Sequence, residues 1–186
     1  MKKIGIVSYS MYGNFTNYGS ALQTYALHKA IDKLAPEVLM SVVVDYCPDI
    51  LADKDVLNPM PNMWDIDPIL RERCRLSLPA INENYTKFKN FYNNQYRLST
   101  RKYTSENFED SLETEQLAGY VCGSDTIFSV PEFGFDDGYY ANYNCMKGRS
   151  VAYAASFGDY DISPEDFDSL KERFGNFKAI ASREND

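Results

Sequence analysis

Four short clusters in this 186-residue chain carry side chains able to do chemistry, and each follows an apolar run. The first is Asn17-Tyr18-Gly19-Ser20-Ala21-Leu22-Gln23. Gly19 permits tight turning, and a helix opening there presents unpaired N–H groups and a partial positive charge. With Asn17, Ser20 and Gln23 as hydrogen-bonding side chains, the segment suits an anion or a sugar hydroxyl. Gln23 projects with Leu22, Ala26 and Ala30, on what reads as the apolar face. An amide there must find a partner, in its own loop or in a ligand. The second cluster is Gly123-Ser124-Asp125, a carboxylate at a strand end that could accept a hydroxyl proton. Ser-Asp pairs also cap turns and helices, so that role stands beside it. The third is Ser156-Phe157-Gly158. The fourth is Ser182-Arg183-Glu184, where Arg183 could grip a phosphate or carboxylate with two N–H groups, or pair with an acid such as Glu184.

Composition narrows the chemistry. His28 is the only histidine, so neither a Ser-His-Asp triad nor a His-rich metal site can be built from this chain alone. On a helical wheel it lies beside Thr24 and Asp32 and reads as a solvated helix residue. Cys47, Cys74, Cys122 and Cys145 lack metal-ligand spacing and read as scattered reduced thiols. No cofactor is expected. A net charge of −8 without a Lys/Arg cluster argues against nucleic acid and against an anionic membrane surface. No run approaches the roughly 20 apolar residues of a transmembrane helix. The apolar stretch after Met1-Lys2-Lys3 is too short for a signal peptide, so the expected location is cytoplasmic.

The elements that must position these clusters follow from pattern. Lys3 to Tyr9 reads as a buried first strand, and Ser10 to Tyr18 as a polar loop. A helix then runs to Leu34, with Leu22, Ala26, Leu27, Ala30, Ile31 and Leu34 on one face. Val38 to Tyr46 is a second strand rich in β-branched residues. Residues 47–80, with five prolines and several aspartates, read as an irregular insertion carrying a short helix near Ile69 to Leu76. Ile81 to Tyr96 reads as a helix whose stripe of Tyr85, Phe88, Phe91 and Tyr92 suits core or interface packing. Thr104 to Gln116 is expected to be helical from a cap near Ser105. Ala118 to Cys122 and Ser150 to Ser156 read as strands. Ser163-Pro164-Glu165-Asp166 opens a helix that stops near Gly175, and Phe177 to Ser182 is the last strand. The sum is one Rossmann-like α/β domain over residues 1–186, a parallel sheet flanked by helices. The chain ends just past a strand, where a ligand-facing loop should begin, and truncation is expected.

Four motifs in this order resemble the polysaccharide pyruvyl transferase family: GIVSY…NYGSALQTYAL, VCGSD, SVAYAASFG and AIASREND. The segment FKNFYNNQYRLS before the GSD strand fits the same pattern. The likeness covers nearly the whole chain and rests on order and spacing more than on any one motif. It implies the N-terminal lobe of a GT-B-like two-lobe enzyme, with the active site between the lobes and the C-terminal lobe missing here. It also implies transfer of a pyruvyl group from phosphoenolpyruvate to a sugar of a surface polysaccharide. Asp125 is then the candidate base. Asn17, Tyr18, Gly19, Ser20, Gln23, Gly123, Ser124, Ser156 and Arg183 become candidate substrate contacts. The acidic composition places most of the anionic donor's site in the other lobe. Thr126-Ile127-Phe128 stands where members often carry a Trp, and residues 131–140 are particular to this chain. A nucleotide-sugar glycosyltransferase lobe and a non-enzymatic sugar- or phospho-ligand-binding module are the alternatives.

Overall fold

The computed structural model describes residues 1–9, 17–52, 67–159 and 161–183. Most of the expected loop before Tyr18 (10–16), part of the expected insertion (53–66), and Glu184 lie outside these residues.

Six strands lie parallel in one sheet: β1 (Lys2–Val7), β2 (Leu39–Tyr46), β3 (Leu98–Tyr103), β4 (Leu117–Asp125), β5 (Ser150–Ala155) and β6 (Phe177–Ser182). Their order is β3-β2-β1-β4-β5-β6. The chain builds outward from β1 to one edge, returns to the centre, and builds outward from β4 to the other. That is a doubly wound, Rossmann-like sheet, whose order reverses between β1 and β4. Strand alternation feeds two cores. On one face Ile6, Val43 and Val121 meet Ala21 and Leu27 of α1 (Tyr18–Leu34). Phe88 and Tyr92 of the long helix Pro68–Gln95, and Tyr96 at its end, complete that core. On the other face Val7, Val42, Val44, Tyr46, Tyr120 and Cys122 meet the aromatic segment between β4 and β5.

Three sequence expectations change. The first concerns the insertion and the helix after it. Beyond a short turn of helix, α2 (Asp49–Ala52), residues 68–95 form one helix, α3, that runs straight through Pro79. Asp67 opens it by accepting N–H bonds from Ile69 and Leu70, with Pro68 in the first turn. Pro79 removes one rung of the ladder, but Cys74, Phe88 and Tyr92 stay buried on one face across it. The second concerns Thr104 to Gln116, which is not one helix. Asn107 Oδ1 takes the Thr104 N–H, an alternative to helical pairing, and a 3₁₀ turn at Phe108–Asp110 leads into α4 (Ser111–Thr114). β3, whose middle residues Thr100, Arg101 and Lys102 are polar and exposed between half-buried Leu98 and buried Tyr103, has no period-two signature and was not expected.

The third concerns α1. Its buried face is Ser20, Ala21, Thr24, Leu27 and His28, while Leu22 and Leu34 are exposed. Hydrophobicity alone misplaces this face because the strands beneath present hydroxyls. His28 is therefore no solvated residue. Its Nδ1 lies 2.6 Å from Ser41 Oγ, whose hydroxyl faces Asp32 Oδ1 at 2.7 Å. With the Ser41 hydrogen on the carboxylate, His28 donates from Nδ1. Burial holds its pKa below 6.5. Arg97 closes the network by donating to Asp32 and to the Ser41 carbonyl.

The segment between β4 and β5 carries α5 (Val130–Phe133) and folds around Asp136. Its carboxylate accepts from the Gly138 and Tyr139 N–H groups and from Tyr46 OH. Tyr139 and Tyr140 are fully buried beside it. A last helix, α6 (Phe167–Phe174), contributes Leu170 to the same core. No helix among the described residues is long and apolar enough to cross a membrane.

Burial, the largest cause, pushes the Asp136 carboxyl up to about 6, against the N–H and hydroxyl donors that favour its charged form. A carboxyl raised above its unfolded value of 3.8 contributes stability below that pH and loses it as pH rises through about 6. Asp136→Asn keeps an acceptor for the two N–H groups and cannot ionise. Its stability relative to wild type, read by urea unfolding, should therefore rise between pH 4 and pH 7, by on the order of 2 kcal/mol. A constant difference across that range would refute the assignment.

Candidate functional site

The carboxyl ends of the strands gather the four clusters along one edge of the sheet. α1 starts there after β1, Asp125 ends β4, Ser156 follows β5 and Arg183 follows β6. In a doubly wound sheet this edge, at the reversal between β1 and β4, is where ligands bind.

The α1 side is built by Asn17. Its backbone is extended, its Oδ1 accepts from Ser20 N at 3.2 Å, and its carbonyl accepts from Ala21 N at 3.1 Å. Asn17 is thus the helix cap, and Ser20 is buried beneath it. Gly19 is exposed. Tyr18 is exposed too, with its ring centroid 4.8 Å from that of Phe88. Tyr18, Ala21 and Leu22 face Lys87, Phe88 and Phe91 of α3 across an apolar cleft of about 110 Å³. Gln23 is half-buried, and its Oε1 is covered without a hydrogen-bond partner among the described residues.

The β4 side is made by close backbone approach. A Cβ at Gly123 would collide with the Tyr153 carbonyl of β5, and Gly123 has φ +120°. Only glycine fits there. The Ser124 carbonyl accepts from Ser8 Oγ at 3.1 Å, and Ser8 Oγ accepts in turn from Thr24 Oγ1 at 3.0 Å. Asp125 has φ +106°, an unusual conformation for a residue with a Cβ, and such conformations cluster at functional sites. Its carbonyl accepts from Ser156 N at 2.9 Å and its Oδ1 from Thr126 N at 2.8 Å. Its Oδ2 is buried and has no hydrogen-bond partner among the described residues, in a residue 9% exposed. A covered carboxylate oxygen lacking a donor is costly, and a ligand hydroxyl would satisfy it.

The remaining clusters do mainly structural work in this structure. Ser156 is fully buried, its Oγ accepts from Gly158 N at 2.9 Å and its carbonyl from Phe128 N. Arg183 is exposed, with its backbone N–H on the Ala155 carbonyl at 3.3 Å. Ile127 and Phe128, after Asp125, are core residues, and Phe128 stacks on Tyr140 at 4.9 Å. Sequence reasoning missed Ser8 and Thr24. Their signal was present but weak: a hydroxyl directly after the buried run Ile4–Val7, and another one turn beyond Ser20. No group of three or more His, Cys, Asp or Glu among the described residues could hold a metal ion.

Gly123→Ala should destabilise the chain by about 2–4 kcal/mol in chemical unfolding, because both its φ and the neighbouring carbonyl must shift. Loss of less than about 1 kcal/mol would mean that β4 and β5 relax freely at this point. Comparison of the chain with protein-family models, with curated proteins and with solved structures returns no match in any of the three.

Proposed function

We propose that this chain is the acceptor-side lobe of a polysaccharide pyruvyl transferase, with Asp125 as the base that takes a proton from the attacking sugar hydroxyl. The observation that carries the reading is Asp125 itself. Its buried Oδ2 lacks a partner among the described residues, and it ends a central strand at the reversal point of the sheet. The order of the four resembling motifs supports the same reading, since all four meet the same edge.

The chemistry assigns each group a task. Protonation of the methylene carbon of phosphoenolpyruvate leaves a cation at the carbon bearing phosphate and carboxylate. One sugar hydroxyl attacks that carbon and gives its proton to Asp125. Phosphate then departs and a second hydroxyl closes the ketal. Of the two hydroxyl protons, one balances the new methyl group and the other leaves with phosphate. Asn17 fixes the start of α1, beside which the sugar would lie, and Gln23 Oε1 offers a further acceptor for its hydroxyls. A trianionic donor needs cations that this acidic chain does not concentrate at the edge, so the partner lobe supplies most of them.

The test is phosphate release. Full-length protein incubated with phosphoenolpyruvate and a panel of candidate surface glycans should release inorganic phosphate, and the 186-residue chain alone should not. Asp125→Asn in the full-length protein should cut the rate by about a hundredfold or more. Undiminished release by that variant would remove Asp125 as base, and turnover by the isolated chain would overturn the lobe assignment. Glycan binding without any turnover would favour the non-catalytic module instead.

A further inference from the structure

We infer that Ser8 and Thr24 are positioning residues, and that their two hydroxyls hold Asp125 in the backbone conformation that aims its carboxylate. The inference rests on the role proposed for Asp125.

The peptide plane between Ser124 and Asp125 is the one whose rotation sets the Asp125 φ. Its carbonyl oxygen accepts from Ser8 Oγ at 3.1 Å. An L-residue at φ +106° relaxes by rotating this plane, and that rotation would carry the carbonyl away from Ser8. Ser8 has one hydroxyl hydrogen and spends it on Ser124. Thr24 Oγ1 donates to Ser8 Oγ at 3.0 Å, so both hydrogens run in one direction, from α1 through β1 to β4. Hydrogen bonds aligned in this way polarise and strengthen one another. Thr24 is fully buried and Ser8 is 7% exposed, so water does not readily compete. The same helix begins with the Asn17 to Gln23 segment. The relay therefore ties the first turns of α1 to the carboxylate across the reversal point of the sheet.

The Thr126 N–H reports the Asp125 conformation directly, because Asp125 Oδ1 accepts it at 2.8 Å. The Val43 N–H, bonded to the Arg97 carbonyl on the far side of β2, serves as the reference. Ser8→Ala should raise amide hydrogen exchange at Thr126 by about tenfold or more and leave Val43 unchanged. Thr24→Val should act in the same direction, and Thr24→Ser, which keeps the donor, should restore protection. Unchanged exchange at Thr126, or an equal rise at Thr126 and Val43, overturns the inference. If Ser8→Ala does not fold, the Thr24 pair decides, and equal exchange in the Val and Ser variants overturns it.

In the full-length protein Ser8→Ala should lower kcat for phosphate release by roughly tenfold to a hundredfold while KM for phosphoenolpyruvate stays within about twofold. Wild-type kcat in Ser8→Ala beside an inactive Asp125→Asn sinks the relay alone. Full activity in Asp125→Asn sinks the reading of Asp125, whatever the exchange data give.

Discussion

The seam between β1 and β4 sets the rest of the structure. There the chain stops building toward one edge and starts toward the other, and in a doubly wound sheet such a reversal is where ligands bind. The seam is held by parallel pairing from Lys3–Leu117 to Val7–Cys122 and, past the last pair, by the Ser8 hydroxyl on the Ser124 carbonyl. Beyond it β4 leans on β5 through Gly123, so closely that a methyl group has no room. Asp125 emerges from between these two constraints with little choice of direction. It is flanked by the Ser8 hydroxyl on one side and the β5 backbone on the other.

Two kinds of polar burial divide the labour around this seam. On the α1 face, hydroxyls and His28 replace part of an apolar core, and every bond spans two elements: helix to β2 through Ser41, helix to β1 through Thr24, helix to β3's entry through Arg97. On the other face Asp136 organises a loop dense in tyrosine, and burial there drives the Tyr46 hydroxyl and the Cys122 thiol toward their neutral forms. Neutral groups in those positions keep the aromatic core tolerable at physiological pH. A buried polar network that is satisfied fixes geometry, which an apolar core of the same volume does less sharply.

Much of the architecture is legible in the residues. The runs Ile4–Val7 and Leu39–Val44, and a helix between them, announce a parallel start, and the polar turns after the strands mark one edge. What escaped reading shares a physical cause. Hydrophobic periodicity locates a helix face only when the surface beneath is apolar. Under α1 it offers Ser8 and Ser41, so Thr24 and His28 turn inward and Leu22 turns out. β3 carries an exposed polar middle, Thr100 to Lys102, at the sheet's edge, and its strand character comes from pairing with β2. Asp125 was legible as a carboxylate at a strand end. Its inverted φ and its covered oxygen are tertiary facts, produced by β1 and β5, that no local pattern encodes.

The missing rung at Pro79 divides α3 into unequal parts. Toward Gln95 the helix is anchored by Phe88 and Tyr92; toward Pro68 it is bathed in solvent, with Ile69 and Leu76 more than half exposed and only Cys74 covered. Fraying from that end meets few buried side chains before the proline, and only past it would it reach the residues packed on the sheet. The cleft shared with Tyr18 and Leu22 is lined only by residues of α3 beyond the proline, so it does not depend on the exposed first turns of the helix.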